Sequence, residues 1–395
     1  MTKDSWRDSF DYAEGHAVEW IRGGQVFFEK LALLIHSAQK TIHLQFYLID
    51  PDETGIPILN ALKAAALRGV VVNLVVDDFG SGKLKPADET ALQEAGVLFK
   101  RFEPFIASGK FYVGRRMHHK ILVVDESTAV VGGMNIANRY RGTENYPPWL
   151  DYAVIVQGPV CSELAIVCKR ILERQFKPSK PKWPKLFSQK RWLDIQKTWV
   201  RIRKNDWLRN RFEITLSYNK AARLSTKSIT IVGGYFLPGR RYRKILEKAS
   251  KRGVEIRIIM THFSDVPVVK YASDYLYGWL LRNNIRIYEP ERSMVHGKVA
   301  IVDETWATVG SYNQNHLSAY LSIELNLDIV NHDFAKSFNA HLLHVIENEC
   351  SEVTKESYYT NASVFSKLRR WVSYQLVRFS LRLLFVVNRI FVVND

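Results

Sequence analysis

The chain has 395 residues, enough for one large or two ordinary domains with a real core. Charged residues make up 24% and apolar residues 47%, near globular averages, which excludes gross disorder. A formal net charge of +16 points to an anionic partner: nucleic acid, anionic lipid or a phosphorylated substrate.

From the N-terminus, a polar start without an apolar run gives no sign of a signal peptide. Val26 to Ala38 has a helical pattern, and Thr41 to Ile49 reads as a buried strand ended by Asp50-Pro51-Asp52. Ile56 to Arg68 is an amphipathic helix stopped at Gly69. Val70 to Val76 is a β-branched run of the kind covered on both faces. Strands follow at Val97 to Phe102, His118 to Val124, Thr128 to Val131 and Tyr152 to Val156, then a helix from Ser162 to Gln175. The second half repeats this order. Ser228 to Val232, Glu255 to Met260, Ile285 to Tyr288, His296 to Val302, Trp306 to Val309 and Leu325 to Val330 are its strands, and Phe334 to Glu349 is its closing helix. Arg68-Gly69-Val70 and Arg252-Gly253-Val254 mark the same place in each half, which argues for duplication. The expected fold class is therefore α/β: two duplicated domains with mainly parallel sheets flanked by helices, packed about a pseudo-twofold axis around one shared active site.

The implied division is an N-terminal extension (1–25), a first domain (26–176), a basic insert (177–211), a second domain (212–350) and a tail (351–395). The insert is dense in Lys and Arg and carries Trp183, Trp192, Trp199 and Trp207 after a linker marked by Pro178, Pro181 and Pro184. Tryptophans suit a lipid-docking surface better than a solvated connector. In the tail, Gln375, Arg378, Arg382 and Arg389 form one narrow helical stripe, with Trp371, Val372, Leu376, Phe379, Leu383, Leu384, Val386 and Phe391 around it. Leu376 to Val393 would be ~27 Å long as a helix, but its arginines make an in-plane amphipathic helix a better fit than a span. Cys161, Cys168 and Cys350 have no metal-ligand or redox spacing and read as buried small residues.

One phrase occurs twice. His118, Lys120, Asp125, Gly132 and Asn135 follow His-x-Lys-x4-Asp-x6-Gly-x-x-Asn, and so do His296, Lys298, Asp303, Gly310 and Asn313. A lone His-x-Lys is weak evidence, whereas two copies in matching halves are strong. On a strand each His and Lys would share a face. Two imidazoles and two ammonium groups suit a phosphodiester. Lys120 and Lys298 neutralise its oxygens, Asn135 and Asn313 donate to them, one imidazole attacks phosphorus and the other moves the proton. No metal or other cofactor is called for. His118 is expected as nucleophile and His296 as acid. Asp151 and Glu324, on the following strand of each half, are candidates to hold the imidazoles, and Gly133 and Ser311 line the site beside the asparagines. Asp125 and Asp303 complete the signature and count with its catalytic set, yet their odd spacing from the histidines turns them away, as partners at a strand end. His119 should face away from the cleft. Gln45, Phe46, Tyr47, Tyr235 and Phe236 either line it or belong to the core.

At these residues the chain resembles the phospholipase D superfamily, and within it bacterial cardiolipin synthases of the branch without N-terminal transmembrane helices. The resemblance rests on Arg115-Arg116-Met117-His118-His119-Lys120, Asp151-Tyr152-Ala153-Val154, Tyr235-Phe236-Leu237-Pro238-Gly239, His296-Gly297-Lys298-Val299-Ala300 and Trp306-Ala307-Thr308-Val309-Gly310-Ser311. It implies two phospholipase D-like domains and transfer of a phosphatidyl group, through phosphohistidine, between phosphatidylglycerol or related anionic phospholipids. It also implies a peripheral or monotopic place at the cytoplasmic face of the bacterial inner membrane. Asn315 stands where the family's second motif has Asp, and Ser322 where it has Asn before Glu324. The alternatives are a phospholipase D hydrolase, a nucleic-acid phosphodiesterase of the same superfamily and a non-catalytic scaffold. Nucleic acid is disfavoured by the Arg-striped tail and the Trp-rich insert.

Overall fold

The computed structural model describes residues 12–102, 106–107, 110–111, 116–173, 197–206, 211–315, 322–360 and 363–392. The expectations for Arg115, Trp183, Trp192, Trp207 and the three linker prolines lie outside these residues, as do the side chains of Arg382, Arg389 and their apolar neighbours in the tail.

The first sheet has seven strands: β1 (Ala17–Arg22), β2 (Thr41–Phe46), β3 (Val71–Asp77), β4 (Leu98–Phe102), β5 (Lys120–Val124), β6 (Thr128–Gly132) and β7 (Tyr152–Gln157), in the spatial order β1-β7-β6-β5-β2-β3-β4. The second sheet repeats this with β8 (Trp199–Asp206), β9 (Ser228–Gly233), β10 (Glu255–Ile259), β11 (Ile285–Pro290), β12 (Lys298–Val302), β13 (Trp306–Gly310) and β14 (Ser322–Val330), in the order β8-β14-β13-β12-β9-β10-β11. The repeat is thus a structural duplication. Each sheet is mixed, which corrects the expectation of mainly parallel sheets. Among the seven strands named in each sheet, β2-β3-β4 and β9-β10-β11 run parallel, joined by helical crossovers, while the other pairs are antiparallel.

Two boundaries move. The segment set aside as an N-terminal extension contains β1, paired with β7 from Ala17↔Gln157 to Arg22↔Tyr152. The basic insert contains β8, paired with β14 from Trp199↔Val330 to Asn205↔Glu324, so this part is a strand of the second sheet and the twin of β1. Its arginines deceive by composition. Arg201 is buried because Asp328 accepts from it at 2.8 and 3.0 Å and its guanidinium lies 4.2 Å from the centre of the Tyr12 ring.

The helices that matter for the site are α1 (Gln25–Ser37), α2 (Gly55–Leu67), α3 (Pro86–Glu94), α4 (Asn138–Arg141), α5 (Val160–Leu172), α6 (Glu213–Leu224), α7 (Arg240–Lys251), α8 (Pro267–Tyr275), α9 (Tyr277–Arg282) and α10 (His332–Glu349). The two halves share one core. Ile121, Val131, Tyr152 and Val154 from the first sheet meet Val299, Val309, Leu325 and Leu327 from the second, with α5 and α10 closing the sides. Cys161 and Cys168 of α5 are buried in this layer. Trp20 of β1 stacks on Phe338 of α10 at 5.2 Å, and Arg22 makes a two-pronged 2.6 Å pair with Glu349. The halves are therefore fastened by close apolar packing, and the site sits on that seam.

Candidate active site

Each histidine stands two residues before its strand, in a short link that crosses to the other half. The N–H of His118 donates to Ile323 O at 3.0 Å. The N–H groups of His296 and Gly297 both donate to Leu150 O at 2.9 Å. The backbone just before each histidine is held from its own sheet: Met117 N–H donates to Asp77 Oδ2 at 2.9 Å, and Val295 N–H to Thr261 Oγ1 at 3.2 Å. The expectation that His118 and His296 lie on the strand is thereby corrected. Lys120 and Lys298 begin β5 and β12, and each ammonium group turns back to donate to the carbonyl of its own histidine.

The seam crosses the acids. Glu324 of the second half holds His118, with Oε2 3.0 Å from Nδ1, and Ser311 O lies 3.1 Å from the same nitrogen. Asp151 of the first half holds His296, with Oδ2 2.6 Å from Nδ1. Sequence order suggested a pairing within each half, and the twofold packing exchanges it. Lys298 Nζ also approaches His296 Nδ1 at 2.9 Å. One ring nitrogen cannot donate to Asp151 and accept from Lys298 together. The shorter contact to the carboxylate places the proton on Nδ1, and the ammonium hydrogens go to His296 O.

Matching positions of the two Gly-x-x-Asn segments support these acids differently. A Cβ on Gly133 would lie 2.3 Å from Asp151 Oδ1, so only glycine leaves room for that carboxylate. At the equivalent place Ser311 keeps a side chain and donates its hydroxyl to Glu324 Oε2. Asp151 and Glu324 are fully buried, and Lys120 and Lys298 are 2% exposed.

Burial in the seam shapes the ionisation of Asp151, Lys120 and Lys298. Desolvation pushes Asp151 up to about 6 against the pull of Lys298. It pushes Lys298 down to about 8, with Asp151 opposing, and Lys120 falls well below the usual ammonium range for the same reason. Both imidazoles are lowered by burial first. Lys120 and Lys298 add to this at both rings, and at His118 Glu324 opposes them. Lowering from the ordinary imidazole value favours the neutral form of both rings. That each group responds to lysines of both halves marks a single site.

The remaining candidates fall in three places. Asn135 Nδ2 donates to Tyr140 OH at 2.7 Å, while its buried Oδ1 has no partner among the described residues. Asn313 is half-buried, its carbonyl taken by Asn315 N–H at 2.7 Å. Asp125 and Asp303 do not belong with the catalytic set. At the far ends of β5 and β12 they take positive φ (50° and 53°) in hairpin turns and accept from backbone N–H groups of Gln39, Lys40 and Thr41, and of Thr226, Lys227 and Ser228. His119 points away, its Nδ1 3.1 Å from Gln45 Oε1 in the core, and Gln45 bonds Cys168 O. Tyr47 does reach the site, with its ring 5.0 Å from that of His118 and Lys120 Nζ above it at 5.2 Å. Tyr235 instead donates to Asp265.

Three neighbours escaped the sequence reading. Tyr140 OH lies 3.4 Å from His296 Nε2, Trp149 has its ring 5.6 Å from the same imidazole, and Arg139 lies over both aromatic rings at 5.7 and 5.4 Å. They lie in α4 and the loop after it, where no periodicity marks a site. Their one signal was nearness to Asn135. Among the described residues no group of His, Cys, Asp and Glu has the arrangement of a metal site.

Comparison with known proteins agrees with this architecture. The family described as "Cardiolipin synthase, PLD-like domain" matches residues 31–159 and 219–346, one segment in each half. Cardiolipin synthase B of Salmonella typhimurium is 31% identical over 89% of this chain and 84% of its own length. Cardiolipin synthase 1 of Staphylococcus epidermidis is 28% identical over 84% of this chain and 67% of its own. In fold, the chain is similar to the crystal structure of phosphatidylserine synthase from Haemophilus influenzae, with a TM-score of 0.74 at 14% identity, covering 97% of this chain and 98% of that one. Two matched segments, a relative aligned over most of both lengths and a duplicated fold with one seam agree: the chain is an enzyme of the phospholipase D superfamily and belongs to the family of PLD-like cardiolipin synthases.

Proposed function

We propose that the enzyme moves a phosphatidyl group, through a phosphohistidine, from one phosphatidylglycerol to the hydroxyl of another, giving cardiolipin and glycerol. The observation that carries this reading is the pair of imidazoles on one seam, each fixed at Nδ1 by a buried carboxylate and each beside its own lysine. Nδ1 fixed in this way leaves Nε2 as the reactive atom. A phosphodiester entering the seam offsets the ammonium charges that depress the imidazoles, so one of them takes up a proton. His118 Nε2 then attacks phosphorus. The phosphorus–oxygen bond to glycerol breaks, and His296 gives its Nε2 proton to the departing oxygen. In the second step the incoming hydroxyl returns a proton to His296 and attacks phosphorus, and the phosphorus–nitrogen bond breaks. Lys120 and Lys298 hold the non-bridging oxygens throughout.

The membrane supplies the substrate in this reading, and the protein works from the cytoplasmic face of the bacterial inner membrane. No described helix is long and apolar enough to cross a membrane. The tail contributes a helix, Val364–Val392, whose start rests on α8. Tyr374 stacks on Tyr275 at 4.6 Å, Arg369 covers Tyr271 at 4.0 Å, and Tyr374 and Val377 fill a small cluster with Leu237, Ala272 and Leu276. Val364, Phe365, Leu368, Trp371, Leu376 and Phe379 remain exposed, at 84, 74, 54, 48, 52 and 65%. Such a helix suits docking in the interface plane.

The test is incubation of the purified full chain with phosphatidylglycerol vesicles, followed by product analysis. Cardiolipin and glycerol in equal amounts are expected, and removal of residues 363–395 should weaken vesicle binding. Phosphatidic acid alone would make the enzyme a hydrolase. No lipid product, with cleavage of single-stranded DNA, would overturn both readings.

A further inference from the structure

The two histidines differ at their reactive nitrogens. Asp151 fixes the proton of His296 on Nδ1, which leaves a lone pair on Nε2. Tyr140 OH stands 3.4 Å from that lone pair. The same hydroxyl receives Asn135 Nδ2 at 2.7 Å. An amide N–H only donates, so the phenol oxygen is the acceptor there and its own proton points elsewhere. His296 Nε2 is the acceptor within reach. Tyr140 is 2% exposed, packed against Trp149 at 5.1 Å, so water offers the phenol no easy substitute. No described side chain donates to Nε2 of His118, whose ring meets Tyr47 through an edge-to-face contact alone. The sequence breaks the symmetry at this position, because the residue as far beyond Asn313 as Tyr140 is beyond Asn135 is Ser318.

We propose that Tyr140 is a positioning residue that ties up the Nε2 lone pair of resting His296, and so assigns proton transfer to His296 and attack on phosphorus to His118. The proposal rests on the phosphohistidine reading above. In the resting seam no described side chain occupies the lone pair of His118, while that of His296 must first leave Tyr140. Once a phosphodiester raises the basicity of His296, its Nε2 takes up a proton, and Tyr140 accepts from Nε2–H where it had donated. That proton leaves with the glycerol oxygen as the His118–phosphorus bond forms and the phosphorus–oxygen bond breaks. The lone pair is restored, and the incoming hydroxyl displaces Tyr140 to deliver the next proton. Asn135 becomes the residue that aims the phenol, in addition to any role toward phosphate.

A hydrogen bond donated to the neutral imidazole disfavours its protonated form. Removing it in Tyr140→Phe should raise the titration of His296 by about half to one pH unit, the worth of one ordinary hydrogen bond. Two measurements read this. Histidine ¹⁵N NMR of the full chain follows each imidazole directly, and kcat for phosphatidylglycerol in mixed micelles, which reports the substrate-bound enzyme, is profiled against pH. The expected result is an upward shift of His296 alone. The alkaline limb, which reports the group that must be protonated, should move with it, while the acidic limb and KM stay in place. An upward move of the acidic limb would make His296 the nucleophile and overturn the assignment. Movement of neither limb, or of both together, would reduce Tyr140 to packing and overturn it as well. Phosphoenzyme trapping in parallel separates the two readings. If neither wild type nor Tyr140→Phe holds phosphate, the phosphohistidine is what fails, while the NMR shift still decides whether Tyr140 holds His296.

Discussion

At the scale of single residues, the seam turns two ordinary imidazoles into a directed pair by giving each a buried acid from across the interface. Asp151 lies 2.6 Å from His296 Nδ1 and Glu324 3.0 Å from His118 Nδ1. The exchange has a direct consequence. Glu324→Gln should disable His118 and block formation of the phosphoenzyme. Asp151→Asn should disable His296 and leave a slowly formed phosphoenzyme on His118. Each should lower kcat by roughly 10³–10⁴, the cost of an imidazole held in the wrong tautomer. Quenched-flow labelling from phosphate-labelled phosphatidylglycerol checks it, and the opposite pattern would restore pairing within each half. Much of the site was legible beforehand. His118, Lys120, His296 and Lys298 stood out because the phrase is repeated, and Asp151 and Glu324 because each begins or precedes the next strand. The crossing was not legible, since spacing along the chain carries no information about which half packs on which. Nor was Tyr140, whose role depends on a hydroxyl brought to His296 by tertiary structure.

At the scale of elements, the signature aspartates belong to hairpins. Asp125 and Asp303 each sit at positive φ in the turn between two strands and hold three backbone N–H groups of the segment entering β2 or β9. Asp303→Ala should therefore cost about 2 kcal/mol of stability, from lost charge-assisted bonds and an unfavourable backbone for alanine. Its kcat at a temperature where it is folded should stay within about twofold of wild type, since the change lies outside the machinery. Thermal unfolding and initial rates on the same preparation check both halves of this expectation. A collapse of kcat without loss of stability would return Asp303 to the catalytic set. The elements themselves were mostly readable from period and turn residues. β8 was not, because Trp199, Arg201, Arg203 and Lys204 look like a basic docking segment until Asp328 is seen to bury one of the arginines. Composition cannot show that a charge is paired.

At the scale of the whole molecule, the duplicated core buries several imidazoles away from the site. His16, His43 and His341 are each pushed down to about 4 by desolvation. His43 is 1% exposed between β2 and β3, with Asn73 Nδ2 3.2 Å from its Nδ1. A folded pKa below the unfolded value means that the unfolded chain binds more protons, so the stability these groups contribute is full above about 6.5 and is lost as pH falls toward 4. Asp77 and Asp151, both raised to about 6, act in the opposite sense over the same window and offset part of the loss. Three histidines outweigh two carboxylates. The melting temperature should fall steadily from pH 6.5 to pH 4, and His43→Gln should flatten that slope. A slope unchanged by His43→Gln would show that His43 is not buried as a neutral imidazole.

In the proposed mechanism one site built from both halves has His118 carrying the phosphatidyl group and His296 moving protons. Trapping and mapping the phosphoenzyme tests this most directly, using wild type, His118→Ala and His296→Ala incubated with phosphate-labelled phosphatidylglycerol and quenched in base, where phosphohistidine survives. Label is expected on the His118 peptide in wild type and in His296→Ala, and none in His118→Ala. Label on the His296 peptide, or label retained in His118→Ala, would contradict it.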